Sequence, residues 1–339
     1  MVDKWMNKLW DRKDKILVGK YDIKIYDNKV HYHLIVKRNI TIIQGNSATG
    51  KTTLIDMLLD YSQLGKNSGV TVVCERKCVA FRFQNDMQLQ ILQAMHGYII
   101  FLDENNSFIK THEFARIVNE SDNYFVIICR DALPQLPYSI EEIYGMRINK
   151  ESQKYIEPKK TYNELYNIYN LHDSKEIKPD TVITEDSNSG NECFSHVFEC
   201  ECRSAEGKSK ITAMISEYKN SGKDLLVIVD GAAFGSEMQL FSRKAANCNN
   251  KCVLYAPESF EYLLLNSGIV EVDENVLENT YDYADSRYYP SWERFYTAYL
   301  IERTKDTVLH YNKARINEAY LTEGNLEKIR AQLPEQIEV

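Results

Sequence analysis

Short apolar runs alternate with helical periodicities over the first half of the chain. Residues 15–38 alternate apolar and polar positions around a turn at 26–29, which predicts an antiparallel hairpin. The apolar run at 39–44 predicts a buried strand, and the stretch at 52–59 has the pattern of a helix. Further strands are predicted at 70–74, 98–103, 124–129 and 143–148, and further helices at 85–95 and 111–119. Such alternation predicts an α/β fold whose mostly parallel sheet carries a ligand at the carboxyl ends of its strands.

The pattern changes after residue 150, where a polar, tyrosine-rich stretch over 151–180 is interpreted as a linker. The alternation then restarts, with strands predicted at 181–184, 198–202, 225–229 and 251–255 and helices at 193–197, 209–219 and 238–245. This predicts a second, smaller α/β sheet. The predicted domains are therefore 1–150, 181–260 after the linker, and a helical C-terminal extension over 261–339. The aromatic spacing between 292 and 299 in that extension predicts core packing.

Residues 45–53 fit the pattern G-x-x-x-x-G-K-[ST], which predicts a loop that holds a polyphosphate. The residues of the loop are Gly45, Asn46, Ser47, Ala48, Thr49, Gly50, Lys51, Thr52 and Thr53. Backbone N–H groups of such a loop turn toward the phosphates, and the helix that follows adds the positive end of its dipole. Lys51 is predicted to contact the β- and γ-phosphates, and the Thr52 hydroxyl to ligate Mg²⁺. We expect a nucleoside triphosphate, and the missing guanine-reading pattern Asn-Lys-x-Asp favours ATP.

The apolar strand at 98–103 ends in two carboxylates. Nucleoside-triphosphate hydrolases need an acidic residue at such a strand end to hold Mg²⁺. We predict that Asp103 holds Mg²⁺ through water and that Glu104 polarises the attacking water, which makes Lys51 and Glu104 the candidate catalytic residues. The alternative is a solvated acidic pair. Arg130, after the strand at 124–129, is either a sensor of the γ-phosphate or part of a surface salt bridge.

Two strands of the second half also end in acids. Glu185 and Asp186 follow the strand at 181–184, and Asp230 follows the strand at 225–229. If the two strands are parallel neighbours, Glu185 and Asp230 meet at one edge of the sheet and can share a hard cation such as Mg²⁺. The alternative is that these acids only end strands and cap helices, where Asp and Glu are common.

The segments 181–186 (TVITED) and 227–235 (VIVDGAAFG) resemble, in the order of their acids, the Toprim fold of topoisomerases, primases and OLD-family nucleases. That fold usually carries D-x-D at the second segment, whereas here Asp230 is followed by Ala232 in place of the second acid. With the motif at 45–53, the arrangement is similar to the ATPase–Toprim defence proteins of bacteria and phages. The resemblance implies a P-loop NTPase domain, a Toprim-like domain, and ATP and Mg²⁺ as cofactors.

The resemblance also implies a homo-oligomer, because OLD-type ATPases resemble proteins that complete each nucleotide site with a signature sequence from a partner copy. That signature, Leu-Ser-Gly-Gly-Gln, has no counterpart between Thr52 and Tyr98. Ala232 stands where the family pattern has its second carboxylate, and without that carboxylate a two-metal site is hard to build. The sequence therefore departs from the family pattern in both halves.

Composition narrows the class of protein. With 339 residues, 44% of them hydrophobic, the chain is long enough for two domains with cores of their own. The formal net charge of −8 argues against a broad basic surface for nucleic acid, although it leaves room for a local groove. No apolar run approaches the length of a membrane span, and the N-terminus lacks a signal-peptide core, so we expect a soluble cytoplasmic protein without a membrane partner. Of the eight cysteines, Cys74, Cys129, Cys200 and Cys252 lie in predicted strands and are expected to be buried thiols, and neither Cys200/Cys202 nor Cys248/Cys252 has a partner pair at zinc-site spacing.

Three functions are compatible with these features. The leading hypothesis is an ATPase whose nucleotide state controls a Toprim-like, Mg²⁺-dependent nuclease acting in defence against phages or mobile elements. Ala232 favours the alternative of an ATP-gated scaffold, whose catalytically silent second half binds a partner protein. A kinase acting on a small molecule is the third, and Glu104 beside Asp103 argues against it by favouring water as the acceptor.

Overall fold

The computed structural model describes residues 18–45, 50–82, 87–149, 160–171 and 176–339. The chain divides into two units, each of them mixed α/β. The first comprises Met1–Tyr169 and Asn279–Pro290, and the second comprises Asn170–Glu278 and Ser291–Val339, as far as their residues are described.

Some predicted positions lie outside the described residues. They are the start of the hairpin at 15–17, the loop residues Asn46, Ser47, Ala48 and Thr49, the start of the helix at 85–86, and positions 151–159 and 172–175 of the interpreted linker.

The described residues of the first unit are built on one nine-stranded sheet. Its strands are, in chain order, β1 (Tyr21–Tyr26), β2 (Val30–Val36), β3 (Ile40–Ile43), β4 (Thr71–Val73), β5 (Cys78–Ala80), β6 (Ile99–Asp103), β7 (Tyr124–Ile128), β8 (Ile143–Ile148) and β9 (Thr161–Asn167). They lie in the order β4-β1-β2-β9-β8-β3-β7-β6-β5. The helices are α1 (Lys51–Leu64), α2 (Gln88–Gln93) and α3 (His112–Glu120), with 3₁₀ turns at Gly65–Ser68, Ser107–Lys110 and Ile140–Glu142.

β1 and β2 form the antiparallel hairpin that the alternating pattern predicts, with Tyr26 opposite His31. Asp27 closes the turn, because its Oδ1 accepts the backbone N–H groups of Lys29 and Val30, each at 2.7 Å. A short acid that bonds the backbone two or three residues on is a common turn-former. The hairpin prediction is confirmed for the described residues.

The five adjacent strands β8, β3, β7, β6 and β5 are parallel to one another, whereas β8 is antiparallel to β9 on its other side. β3, β6 and β7 are buried along their whole length. Parallel strands that are covered on both faces read as continuous apolar runs, which is why the sequence predicts these three so closely. α1 adds Leu54, Ile55, Met57 and Leu58 to the same core.

The sequence does not predict two strands of this sheet. β9 lies inside the segment interpreted as a linker over 151–180, so that interpretation is wrong for Thr161–Asn167. β9 pairs with β2 and β8 although only its Asn163 is buried, and a strand this polar leaves no apolar pattern. β5 has only three residues, too few for a periodic signal.

A segment from late in the chain, Asn279–Pro290, also belongs to the first unit. Hydrogen bonds hold it there, from Gly19 N to the Tyr281 carbonyl at 2.7 Å and from Asn39 Nδ2 to the Pro290 carbonyl at 3.2 Å. The predicted C-terminal extension is therefore interrupted by a piece of the other unit. Contacts between positions this far apart leave no local pattern in the sequence.

The second unit contains the predicted smaller sheet, with four strands. They are β10 (Thr181–Thr184), β11 (Glu201–Ser204), β12 (Leu225–Ile228) and β13 (Cys252–Tyr255). All pairs are parallel, in the order β11-β10-β12-β13. The helices are α4 (Ser189–Val197), α5 (Lys208–Tyr218), α6 (Met238–Ala245), α7 (Phe260–Asn266), α8 (Glu274–Glu278), α9 (Trp292–Thr304) and α10 (Glu323–Arg330).

Three of the four aromatic residues of α9 are buried in the second unit, which confirms the packing prediction for them, whereas Trp292 is half-buried. Phe295, Tyr296 and Tyr299 are buried. The rings of Phe295 and Tyr299 stack with their centroids 5.9 Å apart.

The helices are short, and α1, with 14 residues, is the longest that the structure describes. None of the described helices combines the length and the apolar character that crossing a membrane requires.

Gly231 provides a test of the packing beside β12. A Cβ atom there would lie 2.8 Å from the main-chain oxygens of Ala256 and Pro257. Because backbone atoms give way only with strain, we expect Gly231→Ala to lower the free energy of unfolding by about 1–3 kcal/mol. The matched control is Gly324→Ala in α10, where a Cβ meets nothing within 4 Å, so no loss is expected. Denaturant unfolding measures both, and equal stabilities would contradict the close approach at Gly231.

Candidate functional site

The motif at 45–53 lies between β3 and α1, as predicted. Gly45 and Gly50 adopt φ angles of 124° and 87°, in the region that favours glycine. Lys51 is the first residue of α1. The first N–H groups of a helix have no partner within the helix, and the helix dipole is positive at this end. The described part of the motif therefore has the backbone features of an anion site.

The Lys51 side chain folds back over the loop, and its Nζ donates to the Gly45 carbonyl at 3.0 Å. Partial burial lowers the pKa of Lys51, the charge of Arg130 lowers it further, and Glu104 opposes both. A lysine in these surroundings is stabilised as an ammonium ion by an added anion. The side chain of Thr52, the predicted Mg²⁺ ligand, is exposed beside it.

Tyr32 on β2 is a residue of this site that sequence reasoning missed. Its hydroxyl donates to the Gly50 carbonyl at 2.7 Å and also shares a hydrogen bond with the Thr53 side chain. Burial raises the pKa of Tyr32 to about 12, so the hydroxyl keeps its proton. A Cβ at position 50 would lie 2.9 Å from the Tyr32 oxygen, so glycine is required there by contact as well as by φ. The inward position of Tyr32 in the alternation of β2 is the only signal that the sequence carries.

Asp103, predicted to hold Mg²⁺, lies at the end of β6. Only β7 separates β6 from β3, which places the two strand ends roughly 10 Å apart, two strand spacings. The buried carboxylate of Asp103 is oriented by two amides, since Oδ2 accepts from Asn105 Nδ2 at 2.8 Å and Oδ1 from Asn106 Nδ2 at 3.1 Å. Arg82 Nε lies 3.8 Å from Oδ2. Sequence reasoning missed Asn105, Asn106 and Arg82.

Glu104 lies in more open surroundings than Asp103. Its Oε1 is 3.4 Å from Arg130 Nε, and both side chains are exposed. An exposed ion pair contributes at most about 1 kcal/mol, so this carboxylate can exchange partners at little cost. Arg130 thus forms the surface salt bridge that was one of its two predicted roles. In the structure, Lys51, Glu104 and Arg130 lie close enough together that the charges of Glu104 and Arg130 shift the pKa of Lys51.

In the second unit, Glu185 and Asp230 meet at one sheet edge, as predicted. β10 and β12 are parallel neighbours with Thr184 opposite Ile228. The Asp230 N–H donates to Glu185 Oε2 at 3.2 Å, and Asp230 Oδ1 accepts from Phe260 N at 3.0 Å. Both acids line a cavity of about 30 Å³, large enough for a water molecule or a small cation.

Three charged residues that the sequence does not connect with this pair complete the cluster: Glu261 on α7, Glu293 on α9, and Lys313. Lys313 Nζ lies 2.5 Å from Glu293 Oε1 and 3.7 Å from Glu261 Oε1. Glu261 is 1% exposed, and its Oε1 also accepts from the Tyr311 hydroxyl at 2.9 Å. Its Oε2 has no hydrogen-bond partner among the described residues. We call these five residues (Glu185, Asp230, Glu261, Glu293 and Lys313) the acidic cluster.

Burial controls the charges of the acidic cluster. It raises the pKa of Glu185 to about 7, with Glu293 adding to the shift and the Asp230 N–H opposing it. It raises the pKa of Asp230 well above the usual value, and Glu293, Glu185 and Glu261 add to the shift. Burial lowers the pKa of Lys313, but Glu261 and Glu293 outweigh it and raise the pKa overall, so Lys313 remains charged. The cluster therefore holds one fixed positive charge among four carboxyl groups.

The residues of the acidic cluster fit one hard cation better than two. Mg²⁺ is commonly held by one or two carboxylates and keeps several waters, which Glu185 and Asp230 can satisfy. Among the residues that the structure describes, no group of three His, Cys, Asp or Glu side chains is arranged to hold a metal ion. Ala232, where the second acid would stand, is buried and its N–H donates to the Glu258 carbonyl at 3.0 Å. A two-metal site does not fit these residues.

No protein-family model matches the chain, and a search of the curated proteins finds no match either. The functional interpretation therefore depends on the motifs and the geometry of the two sites.

The raised pKa of Glu185 makes the stability of the protein depend on pH. The protonated carboxyl of Glu185 makes its full contribution to the free energy of unfolding below the ordinary glutamate pKa of 4.5. That contribution is lost as the pH rises through about 7. We therefore expect the free energy of unfolding to fall between about pH 5 and pH 8, and to fall less in Glu185→Gln, by at most roughly 3 kcal/mol. The measurement is denaturant unfolding across this range.

The control for this experiment is Glu217→Gln, a change at an exposed position on α5. It should leave the pH dependence of the wild type unchanged. Parallel curves for the wild type and Glu185→Gln would show that the Glu185 carboxyl does not titrate as its burial requires.

Proposed function

We propose that this chain binds and hydrolyses ATP through its first unit. The observation that carries the proposal is the placement of Lys51 at the N-terminus of α1, directly after Gly50, in a loop whose glycines Gly45 and Gly50 both have positive φ, at the sheet edge where the Asp103 strand also ends. Loops of this kind hold the β- and γ-phosphates by backbone N–H groups and one lysine. The missing guanine-reading motif supports ATP rather than GTP.

Each group near the loop has a role that its surroundings support. Lys51 offsets phosphate charge, and the exposed Thr52 hydroxyl is available as a Mg²⁺ ligand. Asp103 is fixed by Asn105 and Asn106, as a carboxylate that positions a hydrated Mg²⁺ must be. Glu104 is the general base, since its side chain is exposed near Lys51 and its ion pair with Arg130 is a weak surface contact.

For the second unit, we propose a Toprim-like nuclease whose activity depends on the nucleotide state of the first. Glu185 and Asp230 would hold one Mg²⁺, which would supply Lewis-acid stabilisation of a phosphodiester. The parallel register of β10 and β12, which brings the two acids to one cavity, supports this assignment. Defence against phages or mobile elements is supported by the resemblance of the segments 181–186 and 227–235.

The acidic cluster also favours a second candidate, an ATP-gated scaffold with a silent Toprim-like unit. Lys313 already provides a positive charge to Glu261 and Glu293, and Ala232 lacks the carboxylate that a second metal ion would need. An internal ammonium can stabilise buried carboxylates without any metal. In this case ATP would act on oligomeric state or on affinity for a partner protein.

Substitutions in the first unit separate phosphate binding from water activation. Lys51→Ala is expected to lower kcat/KM for ATP by roughly 10²-fold or more, because the loop loses its only side-chain cation within the motif. Glu104→Gln is expected to bind ATP like the wild type and to hydrolyse it roughly 10²-fold more slowly. Phosphate release and nucleotide binding are measured in parallel.

The matched control for Lys51→Ala is Lys66→Ala, in the 3₁₀ turn at the other end of α1. It should retain binding and turnover. A wild-type rate in Glu104→Gln would contradict its assignment as the base. Failure of the wild type to bind Mg·ATP would overturn the proposal for the first unit.

A second set of measurements discriminates the two candidates for the second unit. A nuclease should cut DNA or RNA with Mg²⁺ or Mn²⁺, and Glu185→Ala should lower that rate by about 10²-fold while Glu217→Ala leaves it unchanged. A scaffold should cut neither, and its mass by light scattering should change with ATP in the wild type but not in Lys51→Ala. Neither cleavage nor a response to ATP would overturn both candidates.

A further inference from the structure

Two cysteines of the first unit converge on one residue in the short segment between β4 and β5, the two edge strands of the nine-stranded sheet. Cys74 follows β4 and Cys78 begins β5, with three residues between them. The Arg76 N–H donates to Cys74 Sγ at 3.5 Å, and the Cys78 thiol donates to the Arg76 carbonyl at 3.7 Å. The chain between β4 and β5 thus folds so that both sulfur atoms lie against the same residue.

Their shared position against Arg76 makes the two thiols chemically unequal. A hydrogen bond that the Cys78 thiol shares between the Arg76 carbonyl and Cys74 lowers the pKa of Cys74 to about 7, assisted by the Arg76 N–H and opposed by burial. The same hydrogen bond, together with burial, raises the pKa of Cys78. Cys74 is therefore ionised to a substantial fraction, about half, near neutral pH, whereas Cys78 keeps its proton. A reactive thiolate beside a second thiol is the arrangement in which a disulfide forms readily.

A small oxidant can reach this pair. Cys74 and Cys78 both line a cavity of about 550 Å³, which also has Arg76 and Lys77 in its wall. Cys74 is half-buried, and Cys78 is 4% exposed. The more reactive thiol is thus the more accessible of the two.

Cys200 and Cys202, a closely spaced pair in the second unit, differ from Cys74 and Cys78. Burial raises the pKa of Cys200, and raises that of Cys202 to about 12. Both are therefore protonated thiols near neutral pH, and they provide an internal comparison.

We propose that Cys74 and Cys78 are an oxidisable dithiol that reacts with hydroperoxides and closes an intramolecular disulfide. Cys74 attacks one oxygen of hydrogen peroxide, the O–O bond breaks, and a sulfenic acid and hydroxide form. Cys78 then attacks the Cys74 sulfur, the S–O bond breaks, and the leaving hydroxide takes the Cys78 proton as water. Two thiols and one peroxide give one disulfide and two waters, with two electrons passing from sulfur to oxygen. This proposal is independent of the proposed function.

The sequence around the pair allows a direct test. Trypsin cleaves after Arg76 and after Lys77, so the two cysteines fall in separate peptides, residues 67–76 and 78–82. After equimolar peroxide treatment of the reduced full-length protein, mass spectrometry without reductant should find these two peptides joined. Absence of the joined pair, with peroxide consumed at other cysteines, would overturn the proposal.

Substitutions assign the two roles. In Cys78→Ser, dimedone should trap a sulfenic acid at Cys74, whereas Cys74→Ser should show none at Cys78. Alkylation of wild-type Cys74 at neutral pH should be roughly five- to tenfold faster than that of Cys200, because a larger thiolate fraction outweighs its lower nucleophilicity. Cys200→Ser, as control, should form the joined peptides like the wild type. Equal alkylation rates, or a sulfenic acid at Cys78 in Cys74→Ser, would contradict the assignment.

Discussion

The parallel pairing of buried strands is the constraint on which both candidate sites depend. Parallel neighbours bring their carboxyl ends to one edge of the sheet, so residues that follow different strands meet there. In the second unit, Thr184 opposite Ile228 brings Glu185 to the backbone of Asp230. In the first, the same edge of the sheet carries the loop after β3 and Asp103 at the end of β6. A change of register would separate these groups without altering any of them.

The burial of these parallel strands also decides which elements of the fold can be predicted from the sequence. β3, β6, β7 and β12 are buried along their whole length, so each reads as an apolar run with candidate site residues at its end. The motif at 45–53 and the acids Asp103, Glu185 and Asp230 follow from that pattern. The polar β9, the three-residue β5 and the Asn279–Pro290 segment do not, because pairing and long-range hydrogen bonds rather than hydropathy place them.

Local hydropathy patterns in the sequence also fail to predict the side chains that support the two sites. Tyr32 on β2 donates a hydrogen bond to Gly50, which precedes α1, and Lys313, in a part of the chain without regular structure, forms an ion pair with Glu261. A buried carboxylate must be paired or protonated, because the unpaired ion loses its hydration. Glu142 in the first unit follows the same rule, since it is fully buried, accepts from Thr41 at 3.0 Å, and has its pKa raised to about 7. The sequence shows that such acids exist, but only the fold shows how each is neutralised.

The edge strand β5 joins the proposed dithiol to the candidate nucleotide site of the first unit. Cys78 begins this strand and pairs with Ile99, which begins the Asp103 strand. Beyond the other end of β5, Arg82 contacts Asp103 at 3.8 Å and Asp56 of α1 at 2.7 Å. Four residues in extended conformation span roughly 13 Å, so the sulfur pair and the Arg82 contacts lie at opposite ends of one short segment. An edge strand is held by one neighbour only, which makes β5 the strand of the parallel core whose position is least constrained by the sheet.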